Sequence, residues 1–186
     1  FDITFQTCTG APAAVDGDHP GLEGRAHDEG DPGARGVRLY YTRQSRPRGL
    51  ADAIAQAEHF TVDEPFLVCL GDSTVRSPSP EQPVRRLLAA HGKGGAAATI
   101  LFESVQAADV VRYGIARPDG MARGIFAVAD LIEKPEVEEA PSTLAVAGRY
   151  VFEPIVFEYI RRTPKGRDGE IQISDGQGIQ GTRILP

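Results

Sequence analysis

Residues 131–152 read L-I-E-K-P-E-V-E-E-A-P-S-T-L-A-V-A-G-R-Y-V-F. The stretch begins as an apolar strand that delivers Glu133 and Lys134, and Pro135 then ends the strand. After a Pro-bounded acidic loop comes a second apolar strand, broken by Gly148, where a ligand or another backbone can approach closely. A carboxylate accepts hydrogen bonds from sugar hydroxyls, and an ammonium beside it neutralises phosphate. The stretch therefore predicts a site for a phosphorylated, polyhydroxylated ligand, with a solvated surface ion pair as the alternative interpretation.

The whole sequence has the composition of one globular domain. Its 186 residues are 41% hydrophobic and 25% charged, which is ordinary for a chain that buries a core. The net charge of -6, with Lys and Arg scattered among acids, argues against a nucleic-acid-binding protein. The sequence has no apolar run of membrane-spanning length, and Cys8 and Cys69 give no disulfide framework. We therefore expect a cytoplasmic protein that binds neither nucleic acid nor membrane.

Residues 9–36 are rich in Gly, Ala, Pro and acidic residues, so we expect an irregular beginning. After it, strands and helices alternate along most of the chain. Strands are predicted at 37–41, 65–70, 96–102, 113–117, 125–133 and 144–152, and helices at 49–60, 83–91 and 154–162. Because 65–70 is a continuous apolar run, we expect a central strand buried on both faces. The fold class is α/β, a Rossmann-like, mostly parallel mixed sheet flanked by helices. The single domain 1–186 comprises irregular residues 1–36, a core of 37–175 and a Gly-rich tail, 176–186.

In an open α/β sheet the ligand lies beyond the carboxyl ends of the strands, so residues that follow a strand are candidates for the site. Asp72 offers a carboxylate suited to Mg²⁺, or it is a turn former. Gln44 offers an amide that can pair with a nucleobase, or it is an exposed polar residue. Gly49 begins a helix and leaves free N–H groups there. Tyr113 and Gly114 present main chain to a ligand, or they form a bulge.

Together these segments resemble the sugar-1-phosphate nucleotidylyltransferases, and among them the enzymes that use UTP and glucose 1-phosphate. The resemblance covers about residues 37–175, and its specific parts are the E-K-P block from Glu133 and G-E-I-Q-I-S-D from Gly169. The segments R-Q-S-R-P-R-G-L-A-D-A-I and F-L-V-C-L-G-D are shared with thymidylyltransferases. The resemblance implies synthesis of UDP-glucose and pyrophosphate. The alternatives are synthesis of dTDP-glucose from dTTP, or a catalytically incomplete domain that binds or senses nucleotide sugars.

The resemblance also implies a role for each candidate on the sugar side of the site. Tyr113, Gly114 and Glu133 would hold the hexose, and Gly148 would line it through its backbone. Lys134 would hold the sugar phosphate and serve as a catalytic residue. The reaction needs no protein nucleophile, because the sugar phosphate itself attacks the nucleotide.

On the nucleotide side, the resemblance implies that Gln44 and Gly49 hold the uracil or thymine and that Asp72 binds catalytic Mg²⁺. The expected partners are thus UTP or dTTP and glucose 1-phosphate, and we expect a homo-oligomer. A glycosyltransferase that uses a nucleotide sugar ranks last, because it would carry D-x-D where this chain has Gly71-Asp72-Ser73.

The family's phosphate loop, a strand followed by G-x-G-T-R-x-x-P, does not precede these segments, and G-I-Q-G-T-R-I-L-P closes the chain instead. We rank a truncated or stitched sequence first. The second interpretation is circular permutation, in which Gly181 and Thr182 cradle the triphosphate and Arg183 is catalytic. The third is a chance match in a Gly-rich tail.

Overall fold

The structure, a computed structural model, describes residues 2–7, 38–61, 63–76, 82–93, 95–120, 124–164, 171 and 183–185. The strands in these ranges are β1 (Asp2–Thr7), β2 (Arg38–Arg43), β3 (Phe66–Cys69), β4 (Ala98–Ser104), β5 (Gly114–Asp119), β6 (Phe126–Glu133), β7 (Leu144–Phe152) and β8 (Arg183–Leu185). The α-helices are α1 (Leu50–Ala55), α2 (Glu58–Thr61), α3 (Pro83–Gly92) and α4 (Val156–Arg162), and a 3-10 helix, Ala107–Arg112, precedes β5. Across the described ranges, no helix is both long and apolar enough to cross a membrane.

Six strands form one sheet in the order β3-β7-β4-β8-β6-β5, and β5 also pairs with β7. Of the described pairings in this sheet, β4–β8 is parallel and the others are antiparallel. The mixed α/β architecture is confirmed, but the mostly parallel sheet is wrong for the described strands. Apolar composition indicates that a strand is buried and not which way it runs. Residues 120–125 join β5 to β6, and so short a connection makes a hairpin, because a parallel pair needs a crossover of about a dozen residues or more.

Strand β3 lies at the end of this order and pairs, among the described residues, with β7. Its side chains alternate, since Phe66 and Val68 are partly buried while Leu67 and Cys69 are exposed. Phe66 stacks on Phe157 of α4 with ring centroids 5.2 Å apart, so one face of the strand packs on the core. The prediction of a central strand buried on both faces is therefore wrong, because an apolar run does not reveal how many neighbours the strand acquires.

The helix predicted at 49–60 is divided into α1 and α2. Its break is a tight turn in which the N–H groups of Gln56 and Ala57 donate to Ala53 and Ile54, at 3.2 and 2.8 Å. These bonds span three residues instead of four, as at many helix ends. Helices α3 and α4 lie where the sequence predicts them, and β7 has the predicted bounds.

Both ends of the chain contain strands that the sequence did not predict. Strand β1 lies within the segment expected to be irregular, and it pairs antiparallel with β2 in a separate two-stranded sheet. The remainder of that segment, residue 1 and residues 8–36, lies outside the described residues. Within the predicted Gly-rich tail, β8 enters the six-stranded sheet, where Ile184 pairs with Ile100 of β4 and Phe126 of β6.

The core lies between the six-stranded sheet and the helices. The largest buried cluster joins the sheet to α1 and α4, and a second cluster joins it to α3. One buried polar group joins α3 to β4 and to the segment after β7: His91 of α3 contacts the Thr99 hydroxyl at 2.9 Å and a Glu153 carboxylate oxygen at 3.0 Å. Burial of apolar surface against these three helices holds β3 and β7 in place, and these two strands carry part of the candidate site.

Candidate functional site

A cavity of about 490 Å³ lies among the ends of β3, β5 and β6 and the middle of β7. Five residues that the sequence singled out line it, namely Asp72, Tyr113, Gly114, Glu133 and Gly148. Its other lining residues are Leu50, Leu70, Ser73, Arg112, Leu131, Val146 and Tyr150. The cavity thus combines two carboxylates with one guanidinium on an otherwise mostly apolar wall, as ligand sites commonly do.

Gly114 and Glu133 face each other across the β5–β6 ladder. A Cβ atom added at Gly114 would lie 3.1 Å from Oε2 of Glu133, so the missing side chain leaves room for the carboxylate. The structure therefore brings together two residues that were predicted, from separate segments, to hold the same part of the ligand.

Lys134 follows β6 directly and has a φ of 45°, which is uncommon for a residue with a side chain. Its N–H group donates to the carbonyl of Tyr113 at 3.0 Å, which ties it to the start of β5. The residue is exposed and is not part of the cavity wall. The structure thus places Lys134 beside the cavity, next to Glu133 in sequence and hydrogen-bonded to Tyr113.

Gly148 interrupts β7 with a φ of 66°, in the left-handed region that favours glycine. A Cβ atom there would lie 2.7 Å from the Ser73 hydroxyl oxygen and 3.3 Å from Cβ of Leu70. The sequence suggested that a ligand or another backbone approaches this glycine. The structure identifies the close neighbour as the turn after β3, which carries Asp72.

Gln44 and Gly49 are not part of the cavity wall. Leu50, which follows Gly49 in the sequence, is part of it. The Gln44 side-chain nitrogen donates to Oδ2 of Asp52 at 2.6 Å and to the carbonyl of Gly49 at 3.2 Å. Its side-chain oxygen is buried without a hydrogen-bond partner in the described part of the structure. Buried polar atoms normally have partners, so this oxygen is a candidate acceptor for a ligand.

Ile171 was missed by the sequence analysis, although it belongs to the G-E-I-Q-I segment. Its N–H group donates to the carbonyl of Arg48 at 2.7 Å, and its carbonyl accepts from Ala51 at 3.0 Å. Gly49 has a φ of 93°, and a Cβ atom there would lie 2.6 Å from the Ile171 carbonyl oxygen. Gly49 is therefore glycine because Ile171 crosses it, a contact that no local pattern predicts.

Tyr150 was also missed, and it lines the cavity with only 6% of its surface exposed. Burial and the negative charges of Glu133 and Asp72 raise the pKa of its hydroxyl well above the usual value. The residue therefore presents a neutral phenol near both carboxylates. Side-chain alternation could have found it, because Val146, Gly148 and Tyr150 are every second residue of β7 and line one cavity.

Asp72 is exposed in the turn after β3 and reaches the cavity lining. Among the residues that the structure describes, no group of three His, Cys, Asp or Glu side chains could hold a metal ion. Mg²⁺ commonly binds through one or two carboxylates together with substrate phosphates, so Asp72 fits a metal that arrives with the nucleotide.

Gly181 and Thr182 lie outside the described residues, and Arg183 is described only by its backbone. Arg183 begins β8 and pairs with Thr99 and Ala127. Ala127 lies near the start of β6 and Glu133 at its end, about 20 Å away along an extended strand. The backbone of Arg183 thus pairs at the opposite end of β6 from Glu133, and its catalytic role stays a prediction.

The chain belongs to the nucleotidyl transferase family, whose model matches residues 20–177. The family resemblance seen in the sequence is thereby confirmed. A Streptococcus pyogenes protein named UTP–glucose-1-phosphate uridylyltransferase is 39% identical over 142 residues, which are 75% of this chain and 46% of that protein. A Methanocaldococcus jannaschii protein provisionally given the same name is 40% identical over 141 residues, 76% of this chain and 48% of that protein. The chain therefore spans about half the length of the curated relatives it matches.

Solved structures agree with this family membership. The structure of a UDP-glucose pyrophosphorylase complexed with UDP-glucose has a TM-score of 0.71 and 31% identity, over 77% of this chain and 56% of that one. A UTP-bound enzyme of the same kind from Acinetobacter baumannii has a TM-score of 0.68 and 29% identity, over 77% of this chain and 50% of that one.

Proposed function

We propose that this chain contains the sugar and nucleotide sites of an enzyme that makes UDP-glucose and pyrophosphate from UTP and glucose 1-phosphate. The observation that carries the proposal is the cavity itself. Asp72 and Glu133, at the ends of two strands, line it together with Gly114 and Gly148. The names of the relatives and the ligands named for the similar solved structures support the choice of substrates.

On the sugar side, Glu133 accepts hydrogen bonds from hexose hydroxyls, and Tyr113 and Gly114 offer main chain to the same ring. Lys134 neutralises the sugar phosphate from its position beside the cavity. Its exposure in the free protein supports this role, because a lysine on a flexible stem can reach a phosphate at the cavity mouth.

On the nucleotide side, Gln44 pairs with the base. The buried, unpartnered oxygen of its amide supports this assignment, because uracil and thymine carry an N–H donor that such an oxygen accepts. Gly49 supplies the adjacent backbone. Asp72 would hold Mg²⁺, which when bound offsets the negative charge of the phosphates.

The reaction joins the two substrates without a covalent enzyme intermediate. An oxygen of the sugar phosphate forms a bond to the α-phosphorus of UTP, and the bond from that phosphorus to the pyrophosphate oxygen breaks in line. The residues of the cavity contribute by positioning both reactants, an effect that can supply roughly 7–11 kcal/mol of the barrier.

Pyrophosphate release with glucose 1-phosphate and Mg²⁺ tests the proposal, with UTP, dTTP and CTP compared in parallel. We expect release with UTP and loss of most of it in Lys134→Ala, whose melting temperature should not change. Preference for dTTP would make the chain a thymidylyltransferase. A folded chain that releases no pyrophosphate but binds UDP-glucose would contradict the proposed activity and leave a nucleotide-sugar-binding domain.

A further inference from the structure

The guanidinium of Arg149 holds the turn that carries Asp72. Its Nη1 atom donates to the carbonyl of Leu70 at 3.0 Å and to the hydroxyl oxygen of Ser73 at 2.9 Å. Its Nη2 atom donates to the carbonyl of Ser73 at 2.8 Å. One side chain of β7 therefore binds both ends of the four-residue turn 70–73, across more than seventy residues of sequence.

The residue before Arg149 completes this clamp. The carbonyl of Gly148 accepts from the N–H of Leu70 at 2.9 Å and from Nη1 of Arg149 at 2.9 Å. Because Gly148 lacks a side chain, Ser73 packs directly against it. The strand pairing of β3 with β7 ends at Cys69 and Arg149, so these contacts begin where the ladder stops.

A guanidinium suits this place better than an ammonium. It presents five N–H donors in a fixed plane and can bind several oxygens at different angles, whereas a lysine offers donors from a single atom. Arg149 is only partly exposed, and two of its acceptors are main-chain carbonyls of the turn. Removing the donors takes the Arg149 hydrogen bond from the Ser73 carbonyl and leaves the Leu70 carbonyl with the longer bond from the Ser73 hydroxyl, at 3.3 Å, so the turn gains freedom to move.

We propose that Arg149 is a positioning residue that fixes the turn 70–73 and thereby holds the Asp72 carboxylate at the cavity. Arg149 itself is not part of the cavity lining, whereas Asp72 and Ser73 are. The inference rests on the proposed function, because the purpose of holding Asp72 is to place a metal ligand beside the phosphates.

Hydrogen exchange tests the clamp directly and does not depend on activity. We compare the unaltered chain with Arg149→Lys, with Ser73→Ala, which removes the hydroxyl that contacts both Arg149 and the Leu70 carbonyl, and with Arg85→Lys, an exposed control on α3. We expect amides of 70–73 to exchange about tenfold faster in Arg149→Lys, less so in Ser73→Ala, and unchanged in Arg85→Lys. Peptides from β4 report whether the sheet as a whole has loosened. Unchanged exchange of the turn in Arg149→Lys overturns the proposal.

Mn²⁺ binding to the chain with UTP present, measured by electron paramagnetic resonance against UTP alone, then separates positioning from a merely structural role. We expect Arg149→Lys to weaken Mn²⁺ binding about tenfold, and Arg85→Lys to leave it unchanged. Faster exchange of the turn with unaltered Mn²⁺ affinity would overturn the positioning role. If the unaltered chain with UTP binds no more Mn²⁺ than UTP alone does, the metal role of Asp72 in the proposed function fails, and the exchange data alone decide whether Arg149 holds the turn.

Discussion

The side-chain nitrogen of Gln44 lies 2.6 Å from a carboxylate oxygen of Asp52, and this contact determines the orientation of the Gln44 amide group. An ionised carboxylate only accepts hydrogen bonds, so the NH₂ group must face Asp52 and the amide oxygen must face away. Gly49 accepts a second bond from the same nitrogen, which reinforces the orientation. Asp52 therefore determines that Gln44 offers a ligand an acceptor and not a donor.

Asp52→Asn should weaken the preference for UTP over CTP. The new amide can donate to the Gln44 oxygen and so allow the Gln44 side chain to turn around, which would present its NH₂ group to the base. We expect the ratio of kcat/KM for the two nucleotides to fall about tenfold or more, since hydrogen-bonded sites discriminate strongly against unpaired groups. Asp63→Asn, at an exposed position, is the matched control. An unchanged ratio would remove Asp52 from base selection.

Lys134→Gly should separate stability from activity. The backbone of Lys134 has a φ of 45°, which glycine adopts without strain, so we expect the free energy of unfolding to rise by about 0.5–1 kcal/mol. Loss of the ammonium should at the same time abolish most turnover. Urea melts and pyrophosphate release on the same preparation check both outcomes, and retention of turnover would refute the role given to Lys134.

Gly148→Ala should destabilise the chain by about 1–3 kcal/mol more than Gly124→Ala does. Both glycines have similar positive φ values, 66° and 61°, so the strain of placing an alanine in that backbone conformation is similar in the two variants. A Cβ atom at Gly148 meets Ser73 at 2.7 Å, whereas one at Gly124 has nothing within 4 Å. The difference between the two free energies of unfolding therefore measures the cost of the contact with Ser73. Equal destabilisation would show that the turn after β3 moves away from the added methyl group without cost.

Tyr150→Phe should make the protein less sensitive to alkaline pH. The pKa of Tyr150 is raised in the folded protein, so above the ordinary tyrosine pKa of about 10 the unfolded chain loses its proton while the folded protein keeps it. The folded state then binds more protons, and the stability contributed by Tyr150 falls as pH rises, by up to about 1.4 kcal/mol per pH unit.

Urea melts at pH 9, 10 and 11 measure this slope in the unaltered chain, in Tyr150→Phe and in Tyr159→Phe, a control on α4. We expect a shallower loss of stability in Tyr150→Phe than in the other two. Parallel slopes in all three proteins would contradict the predicted titration of Tyr150.

Between residues 37 and 162, local patterns in the sequence predicted most elements and not their arrangement. Apolar residues marked α3, α4 and β7, because segments that pack in the core carry such residues at close spacing. Strand direction and the end position of β3 depend on pairings between distant segments, which leave no such local pattern. The same distinction applies to the site. Asp72, Gly114 and Glu133 were found as strand-flanking residues, whereas Arg149 was missed because it contacts a turn 76 residues away.

The crossing of Gly49 by Ile171 also bears on the order of events during synthesis. The two residues are separated by most of the described chain, so joining them requires closure of a long loop. Because closing this loop costs conformational entropy, we expect the contact to form late in folding. On the ribosome, the N-terminal end of α1 therefore acquires its carbonyl partner only after Ile171 has emerged. The contact that fixes the start of α1, where Leu50 lines the cavity, thus forms after the strands that line the rest of the cavity have been translated.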